Sequence, residues 1–400
     1  MTATPTTAIR RFPSLDGLRA VAVLAVVVTH VAFQTGRYER GFAHSALARL
    51  DVGVAIFFVI SGFLLVQPWF RTAAVGGPLP SLRVYVVRRV ARIMPAYVAV
   101  VVLALLTLPE NSGAGPGVWI RQLLLLQNYG AGNLVEGLTH TWSLSTEVAF
   151  YALLPFLGVA VLWLCRDRWR PRAVAVALAV LAAIPVAWYV LLTLSEDDRW
   201  ASGGLWLPGY IGWFAAGMAL ALVRVHVDLG GAPAGSAWVR VDALGHFPFT
   251  WWAVAVAAFL VAASPVAGPR ALEALTSWQA VTKSLLYLVV ATAVVAPAVL
   301  AESPMTRRLL GNRFMRYLGD ISYGVFLYHL VVLEWVVIAL DLPLFTGDLV
   351  LVLPLVLAGS VLLAAVSRRL LEEPVLRWAH RIRPRRGVTP PAEPTTTARA

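Results

Sequence analysis

Two ionisable side chains interrupt the first long apolar run of the chain, Arg19 near its start and His30 near its end. They stand 11 positions apart, which at about 100° per residue is within roughly 20° of three full turns. On a helix they therefore share a face, about 16 Å apart along the axis. Asp16 falls about 40° from the same stripe. Ionisable groups inside a membrane span cost several kcal/mol, so each needs a reason. A neutral imidazole can take a proton from a hydroxyl near neutral pH, and an arginine beneath it can hold an anion. The plain alternative for His30 is a ring hydrogen-bonded between two helices.

A second cluster, Arg83, Arg88, Arg89 and Arg92, precedes Pro95. Arg89 and Arg92 are spaced i, i+3 and face one way on a helix. Guanidinium forks suit phosphates, although an ordinary basic cytoplasmic loop would look the same. A third group is His140-Thr141-Trp142-Ser143-Leu144-Ser145-Thr146-Glu147. Seven positions separate His140 from Glu147, close to two turns, so the two fall on one side of a helix. Such a pair can fix a tautomer, relay a proton or tie two helices. His329, Glu334, Glu372 and Glu373 read as structural, with Glu372 or Glu373 pairing with cytoplasmic arginines.

The elements that position these residues follow from composition. Of 400 residues, 59% are hydrophobic and only 14% charged, and the mean hydropathy is +0.74. A soluble domain averages about 45–50% apolar and about 25% charged. The chain therefore reads as an all-α polytopic membrane protein, and soluble, fibrous and disordered classes drop out. Apolar runs near the ~20 residues that a bilayer requires fall at about 17–36, 50–70, 94–108, 142–165, 173–194, 205–223, 248–265, 279–301, 317–340 and 347–367. That predicts about ten spans, the third of them short. Trp119–Gln127 is too short to cross and reads as interfacial or re-entrant. With both termini placed in the cytoplasm, the basic residues divide 26 inside to 7 outside, as positive-inside loops require. The net charge of +12 is thereby accounted for, and no nucleic-acid partner is expected.

Ala46-Leu47-Ala48 resembles a signal-peptide cleavage site. Arg37, Glu39 and Arg40 separate it from the apolar run, so an uncleaved first helix is expected. The single Cys165 excludes a disulfide within the chain and any multi-cysteine metal site, and no metal is expected. The membrane domain is expected over 1–378. A basic, then Pro/Thr/Ala-rich, disordered cytoplasmic tail should occupy 379–400.

Taken in order, these segments resemble the integral-membrane acyltransferase 3 family. The resemblance is carried by six stretches spanning about residues 10–378. They are Leu15-Asp16-Gly17-Leu18-Arg19-Ala20 through His30, Gly53 through Leu64, Arg88 through Pro95, His140 through Glu147 with Phe150-Tyr151, Leu318 through His329, and Leu371-Glu372-Glu373-Pro374.

The resemblance implies transfer of an acyl group, usually acetyl from cytoplasmic acetyl-CoA, to a hydroxyl of a glycan, lipid or secondary metabolite. It implies His30 as the catalytic base with Arg19 and Glu147 in the catalytic set. It places the acyl-CoA donor at Arg89 and Arg92, with Arg88 beside them. Many members have Asp where this chain has Ala55, and a second acidic residue where it has Val148. The chain is expected to lack the C-terminal esterase-like domain of some relatives. In that it looks like actinobacterial members, including those that acylate macrolides. The expected location is the inner (plasma) membrane, multi-pass and among membrane lipids. The competing reading is a proton-coupled multi-span transporter using the same intramembrane His and Glu without acyl transfer.

Overall fold

Within a bilayer only a helix, or a closed barrel, satisfies every backbone N–H and C=O, and each long apolar run here folds as a helix. The structure is a computed structural model, and it describes residues 12–38, 42–130, 135–194, 202–269 and 275–382. Its helices are α1 (Pro13–Gln34), α2 (Phe42–Ala48), α3 (Gly53–Val75), α4 (Leu82–Thr107), α5 (Pro116–Leu123), α6 (Trp142–Leu164), α7 (Pro171–Leu194) and α8 (Ile211–Asp228). They continue with α9 (Ala237–Ala243), α10 (Pro248–Ala262), α11 (Ser277–Val299), α12 (Pro304–Leu310), α13 (Arg313–Ala339), α14 (Leu349–Ser367) and α15 (Glu373–Arg381). No strand occurs among the described residues.

Nine helical segments are long and apolar enough to cross a membrane. A tenth is reached if residues 237–246 and 248–262, which meet at 87°, form one broken span. That is the seventh expected span. Its straight part, α10, has 15 residues, about 22 Å, short of the ~30 Å hydrocarbon core.

The third span differs from expectation. It is a full 26-residue helix starting at Leu82, because Arg83, Arg88, Arg89 and Arg92 form its first turns instead of a loop. The Ser81 side chain caps that start. The segment from Trp119 is a short helix, α5, that does not cross. The buried Asn128 that follows it donates to the carbonyls of Trp142 and Leu205. Arg10, Arg11, Arg40, Arg199, Arg270 and the chain from 383 onward lie outside the described residues. So do the parts of the charge split and of the tail that rest on them. Helix α15 carries the chain through Arg381, beyond the expected domain end at 378.

The helix carrying Arg19 and His30 is locked to the one carrying His329. At their crossing, a Cβ on Gly319 would stand 2.0 Å from the Asp16 carbonyl oxygen. Only glycine lets two backbones approach so closely. Helices α3 and α8 meet in the same way, with Gly62 and Gly217 each against the other helix's backbone. On the far side, the buried Arg49 guanidinium donates to the carbonyls of Ala262, Ala267, Gly268 and Pro269 at 2.6–3.2 Å. It is a structural clamp, its charge met by four backbone dipoles.

Candidate active site

Seen from the arginine end, the bundle opens into a cavity of about 530 Å³ lined by Arg19, Arg88, Arg89, Arg92 and Arg368. The early turns of α1 and α4 and the π-turn Arg368–Glu372 supply them. Five guanidiniums face Glu147 and Asp320, the two acidic residues of the lining. Several are steered by partners. Arg19 Nη1 lies 3.1 Å from Asp16, and Arg92 lies 3.4 Å from the buried Glu372 and over the Tyr323 ring. Arg368 bridges Asp320 and Glu373. The expected pairing of Glu372 and Glu373 with arginines is therefore present. Arg89 packs over the Tyr151 ring, and its buried Nε has no hydrogen-bond partner among the described residues.

Glu147 sits deep in this cavity, accepting hydrogen bonds from Ser61 and, at 2.6 Å, from Tyr151. The expected contact with His140 is absent. Seven helical residues span about 10 Å along the axis, beyond hydrogen-bond reach, and His140 lies on the 3₁₀ turn Thr139–Thr141, before the α-helix proper.

His30 lies instead in a second cavity, about 370 Å³, on the other side of the bundle's middle, together with His140. Val54 and Phe326 line both cavities, so the wall between them is about one side chain thick. His30 Nδ1 is 3.0 Å from Nε2 of the fully buried His329, whose Nδ1 is 2.6 Å from the Phe326 carbonyl oxygen. The His140 ring packs edge-on at 4.6 Å from His329 and 4.9 Å from Phe326. Arg19 and His30 thus share the inward face of α1, as their spacing predicts, but open onto different cavities. His329, read from sequence as structural, is the polar neighbour of His30. The sequence signals for it are an ionisable ring in an apolar span and its place at the end of the Leu318–His329 stretch that carries the family resemblance.

The histidine cavity continues into a third, about 570 Å³, through a shared lining of Asp51, Val54, Trp142, Leu275 and Lys283. Trp142, Tyr210, Trp213 and Tyr287 form a continuous aromatic wall there, with neighbouring ring centroids 5.0–6.1 Å apart. Lys283 donates to Asp51 at 2.8 Å, and Tyr287 donates to the other Asp51 oxygen. The ion pair is part-exposed to the cavity, where such pairs contribute about 0–1 kcal/mol.

Together, fold and site define a polytopic helical membrane protein with a cationic cavity backed onto an imidazole pair, one ring of it fully buried. The chain belongs to the acyltransferase 3 family, whose model, described as an acyltransferase domain, matches residues 12–369. It is 28% identical over 383 residues to YrhL of Bacillus subtilis, named provisionally as a peptidoglycan O-acetyltransferase, covering 92% of this chain and 55% of that protein. It is 30% identical over 205 residues to the peptidoglycan O-acetyltransferase OatA of Listeria monocytogenes, covering 46% of this chain and 30% of that one. With the acyltransferase MdmB of Streptomyces mycarofaciens the identity is 29% over 255 residues, covering 59% and 63%. The chain thus spans less than two thirds of the length of each of these relatives. No solved structure matches it.

Proposed function

We propose that the protein is a membrane O-acyltransferase that moves an acyl group, acetyl in the first instance, from acyl-CoA to a hydroxyl of an envelope glycan, lipid or macrolide-like metabolite. The observation that carries this reading is the back-to-back pair of cavities, five arginines on one side and His30 on the other of a wall one side chain thick.

The donor fits the arginine cavity chemically. CoA carries a 3′-phosphate and a pyrophosphate, guanidinium forks bind phosphate oxygens in pairs, and Arg89 Nε has a buried N–H without a partner among the described residues. Arg89 and Arg92 hold the phosphates in this reading, with Arg88 and Arg19 at the rim. When bound, the donor supplies an activated thioester carbonyl. His30 takes the acceptor hydroxyl proton as the oxygen–carbon bond forms, and returns it to sulfur as the carbon–sulfur bond breaks. No step needs a covalent acyl-enzyme. Glu147 keeps Ser61 and Tyr151 in place beneath the wall, on the donor side, and so acts by positioning rather than as the partner of an imidazole.

The acceptor enters from the opposite cavities. Their combination of aromatic faces with the Asp51–Lys283 pair suits a ring that has an apolar C–H face and polar edges, as a sugar does. We place the arginine end in the cytoplasm of a plasma-membrane protein, where CoA resides. The positive-inside count supports that side, and a reporter fused in the Arg166–Arg172 loop should read cytoplasmic.

The decisive experiment is thiol release from acetyl-CoA by purified protein in nanodiscs, with mass spectrometry of envelope glycans, lipids and metabolites from cells with and without the gene. Acetyl-CoA turnover with a +42 Da product, the mass of an added acetyl group, supports the reading. Neither signal, with uptake driven by a pH gradient instead, overturns it in favour of a carrier.

A further inference from the structure

The histidine pair has a definite proton arrangement that its surroundings dictate. A backbone carbonyl oxygen only accepts hydrogen bonds. At 2.6 Å from Phe326 O, Nδ1 of His329 must therefore carry the proton. In a neutral imidazole the other nitrogen is then a bare lone pair. That nitrogen, His329 Nε2, is the atom 3.0 Å from His30 Nδ1, so His30 Nδ1 must be the donor. The remaining nitrogen of His30, Nε2, is left as a lone pair.

The one arrangement that would reverse this order is a doubly protonated His329. His329 is fully buried, and among the described residues its hydrogen bonds, to Phe326 O and His30, include no carboxylate. An isolated buried cation is far too costly to be its resting state.

We infer that His329 is a positioning residue that fixes His30 as the Nδ1–H tautomer, leaving His30 Nε2 as the base for the acceptor hydroxyl. The inference rests on the acyl-transfer reading for its kinetic consequence, though not for the tautomer itself.

The device does what an aspartate does behind a catalytic histidine, with a difference in charge. A carboxylate would offset the imidazolium formed when His30 takes a proton. His329 offers only a lone pair, so it orients the ring and accepts the Nδ1 hydrogen bond without adding a negative charge. Glu147, the carboxylate that its spacing sets on the side of His140, is turned to Ser61 and Tyr151 in the other cavity. The chain Phe326 C=O, His329, His30 is also mechanically tight. Phe326 and His329 lie one turn apart on α13, and the Gly319 crossing holds α13 against α1. The carbonyl that sets the tautomer belongs to the residue whose ring forms the wall between cavities.

The test compares His329→Gln with His329→Leu in full-length protein in nanodiscs. The glutamine side-chain oxygen can stand where Nε2 stood and accept from His30, while leucine fills space without accepting. Three readouts are taken: ¹⁵N NMR of His30, acetyl-CoA affinity, and kcat for thiol release with acceptor. The expected result is a His30 spectrum of one tautomer, Nδ1 protonated and Nε2 bare, in wild type and His329→Gln. His329→Leu should show mixed tautomers. Its kcat should fall about 100-fold, the lower end of what a positioned general base contributes. His329→Gln should retain most of the activity, and acetyl-CoA should bind all three proteins alike.

A wild-type His30 protonated at Nε2 overturns the inference outright, as does a His329→Leu protein with wild-type kcat. Equal loss in both variants with normal donor binding also overturns it, since packing alone would then be the role. Should His329→Leu fail to fold, the wild-type and His329→Gln spectra decide. The NMR arm stands even if the wild type releases no thiol, a result that would defeat acyl transfer and leave the tautomer assignment standing.

Discussion

The arginine cavity and the histidine cavity lie on either side of one wall and are built on opposite principles. On the arginine side, charge is plentiful and only partly matched. Arg19 pairs with Asp16, Arg92 with Glu372 and Arg368 with Asp320 and Glu373, while Arg88 and Arg89 make no ion pair among the described residues. On the histidine side, each cation has its own partner. Arg49 is met by four carbonyls, Lys283 by Asp51, and the imidazoles bond or stack on one another. Unpaired guanidiniums attract and hold a multivalent anion. Where each cation is already tied to a partner, a base keeps the lone pair that is its useful property. In the proposed reaction, the contrast separates holding a donor from doing chemistry on an acceptor.

The largest expected effect tests the chemical side. His30→Ala should lower acyl transfer by about 10²–10⁴-fold, the contribution of a general base, with insertion and acetyl-CoA affinity intact. Turnover near wild type in that variant would remove His30 from the reaction and leave the contrast without content. On the holding side, Arg89→Ala or Arg92→Ala should weaken acetyl-CoA binding by about 10- to 150-fold, from the ~1.5–3 kcal/mol worth of one charged hydrogen-bond partner. Arg→Lys should recover only part, because an ammonium lacks the fork. Titration of correctly inserted protein measures it, and unchanged affinity in both alanine variants would reduce the arginines to topology signals.

A smaller effect is expected in the aromatic cavity. Lys283→Gln should raise the acceptor KM by about tenfold while donor affinity stays unchanged. A change in donor affinity instead would show that the two sides are not independent. The smallest change should follow from Phe326→Leu, which thins the wall. Thiol release without acceptor should rise several-fold as water reaches the thioester, measured against the same protein with acceptor present.

Helix number and the paired segments around Arg19, His30, Arg89 and Arg92 were legible in the sequence, because span length and the 3.6-residue turn act locally. The extra turns of α4 were not. Arginines break an apolar run in a hydropathy profile, yet they are good helix formers and continue the helix once they face a wet cavity. The His140–Glu147 pairing failed for a related reason: periodicity gives the side of a helix, not the distance along it. The His30–His329 contact joins residues 299 positions apart. Nothing local announces it, and it depends on the absence of a side chain at Gly319 as much as on either imidazole. The asymmetry between cavities was half visible, since arginines cluster in sequence whereas the aromatic wall gathers rings from α6, α8 and α11 and from the residue before α8.

The wall of Val54 and Phe326 has one more consequence, for the cell's energetics. In the proposed topology, hollows filled with water from opposite faces would concentrate nearly the whole transmembrane voltage across the short apolar layer between them. At about 2.3 kcal/mol per elementary charge per 100 mV, a passage there wide enough for a hydrated ion would be a short circuit. For the proposed reaction, the layer must therefore let a neutral acyl carbonyl meet a hydroxyl while remaining an insulator. A phenyl ring and an isopropyl group, free of charge and of hydrogen-bonding atoms, are suited to that duty.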